Sequence, residues 1–242
     1  PARAADGVLS STGAASTSGA RTQHTVRIPT TVAAGDLLVL AFTVNSTSGT
    51  VTPPADWTEV ESVDGDGIRG RVWSKIAGAG DPNSNITVVT SATLKAVVSV
   101  TAYRSTIGAA SVSAAEGAVV NAGATTHSAP AVALQGANSW LLNIWGEKSS
   151  DTVTWTLPAG ATERTTAAAT GGGKVSQIVA DSNAPVAGPT SVVNQATTSI
   201  SASRGVQFSL AILPGTEAEP TNGAPVAAFT ATCTGMDCAF DA

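Results

Sequence analysis

Apolar residues alternate with polar ones, or form short runs, along most of the chain, which is the pattern of β-strands. The longest apolar run, Leu37 to Phe42, has the length of one strand. An Ala-rich stretch from Ala109 to Val120 comes nearest to a helical pattern, but Gly117 interrupts it. Many short strands separated by turn residues predict an all-β sandwich or barrel.

The strand pattern occurs twice. The run Gly35–Phe42 aligns with Asn138–Trp145, and the run Thr50–Glu59 aligns with Thr154–Glu163. Both alignments have an offset of about 100 residues, which is too long for a solenoid repeat. We therefore predict that a four-strand unit is duplicated.

The two copies are expected to cover about residues 25–105 and 126–214. A third alignment pairs Gly70–Val72 with Gly173–Val175. A single sheet needs a partner for its apolar face, so we expect the two halves to pack face to face and neither to be a domain by itself. The prediction for residues 1–214 is a two-sheet, jelly-roll-like β-sandwich.

The C-terminal region has a different character. Residues 215–225 are rich in Pro, Gly and Glu and are expected to form a linker. Residues 226–242 are expected to form a β-hairpin with Cys233 and Cys238 on either side of the turn. Two cysteines so placed suit a disulfide, which would place the protein in an oxidising compartment. Weak metal binding by the two thiols is the alternative.

Composition and charge narrow the functional classes. A net charge of -5 and a charged fraction of 12% argue against a nucleic-acid-binding protein. The chain has no apolar run of membrane-spanning length, so no membrane span is expected. Ser and Thr together supply 58 of the 242 residues. We predict a secreted or cell-surface protein.

Two stretches resemble known families. The C-terminal sequence PVAAFTATCTGMDCAFDA, which starts at Pro225, resembles the first two strands of a PKD-type immunoglobulin-like domain. The stretch Thr126–Trp145, with Trp155 and Arg164, is similar to N-terminal modules of large secreted actinobacterial proteins, which commonly carry PKD or lectin-like repeats downstream. The resemblance implies a secreted β-sandwich followed by the beginning of a PKD-like domain over residues 226–242. It transfers no catalytic residue.

Two tryptophans share a predicted strand face with polar side chains. The six residues of these two faces are Arg71, Trp73, Lys75, Asn143, Trp145 and Glu147. Sugar-binding modules place an aromatic ring on the apolar face of a pyranose and use polar neighbours to bind its hydroxyl groups. We predict that these residues bind a polysaccharide or cell-surface glycan. The alternative is that Arg and Lys stems merely cover a tryptophan at a sheet edge.

Asp64 and Asp66 form an acidic, Gly-rich turn. Short carboxylates on such a turn could hold Ca²⁺ through oxygen ligands. Asp-Gly pairs are also good hairpin turns, which is the structural alternative. Calcium is the one cofactor for which the sequence offers candidate ligands.

The sequence favours a non-catalytic, secreted, carbohydrate-binding or adhesive module of a larger extracellular protein. One alternative is a structural spacer or filament-forming surface subunit that self-associates through strand edges of the C-terminal tail. The other is a polysaccharide hydrolase or lyase, which would need two carboxyl groups flanking its substrate. Glu147 is the best carboxyl candidate for that reaction.

Overall fold

The computed structural model describes residues 9–135, 138–169, 173–186 and 194–216, with the backbone alone for 230–234 and 237–241. Within these ranges the chain forms strands and no helix, so the predicted all-β class is confirmed. The strands are β1 (Leu9–Arg27), β2 (Leu37–Val44), β3 (Val51–Thr52), β4 (Thr58–Gly65), β5 (Ile68–Ile76), β6 (Asn85–Ser105), β7 (Ser111–Val120), β8 (Ala124–Ser128), β9 (Trp140–Ser149), β10 (Trp155–Thr156), β11 (Thr162–Ala168), β12 (Lys174–Asp181), β13 (Gln195–Ala202), β14 (Arg204–Leu213), β15 (Thr230–Thr234) and β16 (Asp237–Asp241). No helix that could cross a membrane occurs in this part of the chain.

Two large sheets have the same strand order. The first half is ordered β1-β6-β2-β5-β4, and the second is ordered β7-β14-β9-β12-β11. A small sheet, β10-β13-β8, belongs to the second half. In the first half its place is taken by β3 with the neighbouring parts of the long strands β1 and β6. The repeat seen in the sequence is thus a repeat of structure, and the repeated order has five strands rather than four, with β3 as a sixth strand of the first sheet.

The equivalence of the halves extends to side-chain contacts. His24 Nε2 lies 3.3 Å from Thr90 Oγ1, and His127 Nε2 lies 3.3 Å from Thr198 Oγ1. Strands β4 and β11 also carry a register shift at the same place, next to Glu59 in one and Glu163 in the other. The halves therefore provide position-by-position counterparts for each other.

One of the sequence alignments is wrong. Phe42 of β2 lies opposite Arg71, and its counterpart Trp145 of β9 lies opposite Ile178. The counterpart of Arg71 is therefore Ile178 and not Lys174, which the third alignment had paired with it. The connection between β11 and β12 is longer than the turn between β4 and β5, and this extra length displaces the alignment.

The two large sheets pack face to face around a shared core, as expected for a β-sandwich. Aliphatic and aromatic side chains from both sheets form this core. Its buried members are Leu37, Val39, Ala41, Ile68, Val72, Tyr103, Ala110, Trp140, Leu142, Ile144, Val179, Val206, Phe208, Leu210 and Ile212. Burial of apolar surface on this scale is the main favourable contribution to folding.

Each large sheet is also covered on its outer face, which the sequence analysis did not anticipate. In the first half, Leu38, Leu40 and Phe42 pack with Val26 and Val88 of the bent ends of β1 and β6. In the second half, the small sheet β10-β13-β8 packs over Trp145. We call these outer layers the first and second cover. The covers protect only the outer faces, so the inner face of each half still depends on the other half, as the sequence predicted.

The contacts between the halves are reciprocal. β1 lies against β11 while its counterpart β7 lies against β4, and β6 lies against β12 while β14 lies against β5. Such exchange of equivalent elements defines a pseudo-two-fold relation, the intramolecular form of an isologous interface. Two seams result, one between the edge strands β1 and β11 and one between the edge strands β4 and β7.

The C-terminal hairpin is described by its backbone alone. Strands β15 and β16 pair antiparallel, and Cys233 lies opposite Cys238 in their register. The side chains of both cysteines lie outside the described residues, so the disulfide remains a prediction. Residues 217–229, which include most of the predicted linker, also lie outside them.

Candidate functional site

The predicted exposure of Trp73 is wrong. Its ring is 1% exposed and packs in the core beneath the first cover. Trp73 does share a face with Arg71 and Lys75, but the first cover closes over the tryptophan ring. Arg71 donates to Asp64 at 2.7 Å, and Lys75 donates to Asp81 at 2.9 Å. Strand alternation separated the two faces correctly and could not show that both are covered.

The second predicted face is also interior. Asn143, Trp145 and Glu147 on β9 are all buried beneath the second cover. Asn143 Nδ2 donates to Ser209 Oγ at 2.7 Å, and Asn194 Nδ2 donates to Asn143 Oδ1 at 2.7 Å. In the described structure neither Trp73 nor Trp145 can stack on a sugar ring, so the aromatic-platform hypothesis loses its main support.

Glu147 has an unusual environment for a carboxyl group. Ser176 Oγ donates to its Oε1 at 2.6 Å, and Ser149 Oγ lies 3.3 Å from the same oxygen. The other oxygen, Oε2, is buried and has no hydrogen-bond partner in the described part of the chain. Burial raises the pKa of Glu147 to about 7, although the two serine hydrogen bonds act in the opposite direction.

Neighbouring groups extend this polar interior. Trp155 Nε1 donates to Ser176 Oγ at 3.1 Å. His127 Nδ1 lies 3.4 Å from Gln207 Nε2, and burial lowers the pKa of His127 to about 4. Gln207 Oε1 is a second buried acceptor without a partner among the described atoms. The described partners of Glu147 are serines and include no second carboxyl group, whereas glycoside hydrolysis uses two.

The first half builds the same layer from apolar residues. Asn143 pairs with Ser209, and Trp145 with Gln207, where the first half pairs Leu40 with Val100 and Phe42 with Val98. By the same register the counterpart of Glu147 is Val44, which is fully buried. The fold therefore does not require polar side chains at these positions.

The turn at Asp64 and Asp66 has a structural role. Asp64 accepts a hydrogen bond from Arg71, while Asp66 accepts one from Arg204 of the other half at 2.8 Å. The backbone N–H of Asp66 also donates to Asn121 Oδ1 at 2.7 Å. No group of three or more His, Cys, Asp or Glu side chains that could hold a metal ion occurs among the residues that the structure describes. Both carboxylates are thus paired with arginine side chains.

An open concavity of about 520 Å³ lies at the β4–β7 seam. We call it the groove. Its walls are mostly small or aliphatic, with one carboxylate and one amine at the rim. The lining residues are Leu37, Thr58, Glu59, Val60, Ser74, Lys75, Ile76, Ala110, Ser111, Val112, Ser113, Ala114 and Ala115. Ile76 is 46% exposed there, an unusual degree of exposure for a large aliphatic side chain in this protein.

The seam narrows away from the groove. An added Cβ at Gly117 of β7 would lie 2.5 Å from Val63 Cγ1 of β4, so the two backbones approach closely at that end. The hydrogen bond from Asp66 to Asn121 fastens the strand ends beyond it. The β4–β7 seam is therefore open at the groove and closed at its opposite end.

The equivalent place at the β1–β11 seam is filled. Arg164 Nε and Nη2 donate to the two oxygens of Asp181 at 2.8 and 2.7 Å, and Tyr103 OH donates to Asp181 Oδ2 at 3.0 Å. Burial and the neighbouring Asp181 carboxylate raise the pKa of Tyr103 well above its usual range. The counterparts of these three residues at the other seam are Val60, Ser74 and Ile212, by the registers of the two sheets.

Sequence reasoning missed most of the groove. Lys75 is the one predicted site residue that lines it, whereas Glu59, Val60 and Ile76 were not selected as ligand-binding residues. The groove depends on which edge strands meet and how closely, and no local pattern in the sequence encodes that meeting.

The chain was compared with protein-family models, with curated proteins and with solved structures, and it matches none of them.

Proposed function

We propose that the chain is a non-catalytic structural and adhesive module of a secreted or cell-surface protein, and that it joins neighbouring copies through the groove. The observation that supports this proposal is the open seam between the edge strands β4 and β7. The opposed positions of Cys233 and Cys238 support a disulfide and an extracellular location. The start of a PKD-like domain after residue 225 belongs to the same proposal.

Backbone hydrogen bonding is one basis for it. Among the described strands, β4 pairs only with β5 and β7 pairs only with β14, so both present an outer edge toward the seam. Edge strands offer unpaired N–H and C=O groups to an extended segment of another chain. Where the two strands diverge, an added segment would find such groups on either wall.

The groove walls favour apolar side chains on that segment. Val60 and Ile76 stand where the closed seam has Arg164 and Asn183. A segment that enters the groove takes the place that the Arg164 side chain has at the closed seam. It contacts aliphatic walls there, so burial of its own apolar surface is favourable.

We assign the occupant to the C-terminal region of a second copy. The described body ends at Thr216, whose carbonyl oxygen would lie 2.7 Å from an added Cβ at Gly108, close in sequence to the wall residue Ala110. The chain continues from there with a Pro/Gly/Glu-rich stretch and then Val226–Phe229, which is apolar. The tail thus starts beside the groove and carries side chains of the right chemistry.

Sedimentation velocity over a concentration series tests this function. The full chain is expected to associate, and a chain ending at Thr216 is expected to stay monomeric. Val60→Arg with Ser74→Asp, which imports the residues of the closed seam, should also abolish association. Val89→Arg is the matched control, because Val89 is 39% exposed and does not line the groove. A full chain that stays monomeric at all concentrations, or association that survives both changes, would overturn the proposal.

Glycan binding is the second candidate, because hydroxyl groups lie beside both charges on the groove walls. Thr58, Ser74 and Ser111 could bind sugar hydroxyls together with Glu59 and Lys75. A glycan array with the full chain, Glu59→Ala and Glu163→Ala tests it, since Glu163 is the counterpart of Glu59 at the closed seam. Binding that Glu59→Ala alone removes would support it, and an array without signal would reject it.

A hydrolase or lyase has the weakest support. Glu59 is the one carboxyl group among the residues that line the groove, and glycoside hydrolysis uses two. Glu147 lies beneath the second cover, away from any lining residue of the groove.

A further inference from the structure

The second cover packs on a buried acid for which the first cover has no counterpart. Glu147 is fully buried between β9 and the small sheet, while Val44 holds the same position in the first half. Glu147 Oε2 and Gln207 Oε1 are both buried acceptors without a partner in the described region. A charged carboxylate so placed is stabilised through one oxygen alone.

We propose that Glu147 makes the packing of the second cover sensitive to pH, so that the cover is held tightly while the carboxyl group is protonated and opens more readily once it is ionised. Protonation removes the buried charge and gives Glu147 a donor. Gln207 lies diagonally across the β9–β14 pair on the same face, since Gly205 is directly opposite Glu147 and Gln207 is opposite Trp145. The raised pKa of the carboxyl group agrees with this geometry.

The other titratable groups around Glu147 do not account for such an effect. From β8, His127 faces Gln207, and its lowered pKa keeps it neutral above pH 5. The neighbouring β10, β12 and β14 contribute Trp155, Ser176 and Gln207, none of which titrates in that range.

The nearest charged side chains point to solvent or to the other half. Asp151 pairs with Lys174 and is 77% exposed, and only its backbone carbonyl accepts from Ser149. Lys148 Nζ donates to the carbonyls of Asn45 and Gly67 in the first half. Glu147 is therefore the ionisable group that distinguishes the second cover.

The two covers provide an internal control in one sample. His24 and His127 are counterparts, and burial lowers the pKa of both, so a buried histidine is common to the two covers. Amide hydrogen exchange of the full chain between pH 5 and pH 8, corrected for the intrinsic rate, compares β8 and β13 with the segments Arg21–Arg27 and Asn85–Thr90 of the first cover.

The second cover is expected to lose protection relative to the first as the pH rises, by up to about tenfold for each pH unit between 5 and 7. Glu147→Val, which copies the first half, and Glu147→Gln, which keeps the shape without the charge, should both remove that difference. If Glu147→Val folds poorly, Glu147→Gln still tests the proposal. Equal pH dependence of the two covers in the wild type, or a difference that persists in a folded variant, would overturn the proposal.

Discussion

Glu147 and Val44 occupy equivalent positions in the two halves, and both side chains are fully buried. The pair shows that one architecture tolerates both a carboxyl group and an aliphatic group at this point. Glu147→Val is therefore the substitution that measures how much the buried carboxyl group destabilises the fold.

The first prediction concerns Glu147→Val and the pH dependence of global stability. Burial raises the folded-state pKa from 4.5 to about 7, so the folded protein holds this proton more tightly than the unfolded chain does. The contribution of Glu147 to stability is thus fully present below pH 4.5, falls as the pH rises toward 7, and stays lost above it. Urea unfolding at pH 8 should show Glu147→Val more stable than the wild type by about 3 kcal/mol.

At pH 4.5 the advantage of Glu147→Val should be much smaller, and Glu147→Gln should show a flat profile between the two pH values. An advantage of the same size at both pH values would show that the carboxyl charge is not its cause.

The second prediction concerns Gly70 at the interface of the halves. An added Cβ there would lie 2.6 Å from Cε2 and Cζ of the Phe208 ring, which is buried and cannot move away freely. Gly70→Ala should reduce the free energy of unfolding by about 1–3 kcal/mol through overpacking.

Gly80→Ala is the control for Gly70→Ala, because an added Cβ at Gly80 meets no atom within 4 Å. Thermal or urea unfolding should place this variant within about 0.5 kcal/mol of the wild type. Equal loss of stability in the two variants would contradict the close packing of Gly70 on Phe208.

The third prediction concerns Asp181 at the closed seam. Asp181→Ala should destabilise the fold by about 3–5 kcal/mol, because it leaves Arg164 and the Tyr103 hydroxyl without their acceptor in a buried place. The exposed pair between Asp66 and Arg204 provides the comparison, since Asp66→Ala should cost less than about 1 kcal/mol. Chemical denaturation measures both, and similar losses would refute the difference in burial.

The fourth prediction concerns Trp73, which sequence reasoning assigned to a sugar platform. Its ring lies under the first cover, so Trp73→Ala should remove about 3–5 kcal/mol of stability and act on the fold rather than on a ligand. Iodide quenching of the folded wild type and of Trp73→Phe checks the burial, because removing one buried ring among the five tryptophans leaves the quenchable fluorescence unchanged. Full accessibility of Trp73 to iodide would restore the platform hypothesis.

The sequence predicted the fold class and the duplication because both depend on local patterns of apolar and polar residues. Strand alternation and turn residues recur along the chain, and the runs at Gly35 and Asn138 align in the sequence as they do in the sheets. The side-chain parity of Trp73 and Trp145 was also correct.

The burial of those faces could not be predicted from the sequence. It depends on the bending of the long strands β1 and β6 and on the small sheet of the second half. Alternating strands indicate two faces, and they do not say how many layers cover each. The groove is still harder to predict, since its walls come from β4, β5 and β7, which meet only when the two halves pack together.

The reciprocal contacts of the halves have a consequence for how such a molecule can change. If the two sheets belonged to separate, identical chains, a homodimer would repeat every substitution at both symmetry-related places. Fusion of the copies in one polypeptide removes that constraint. The arginine–aspartate–tyrosine cluster could then be kept at one seam while the other was left open, and the acid could be placed in one half alone. Covalent linkage thus allows a symmetric scaffold to carry single, unrepeated features.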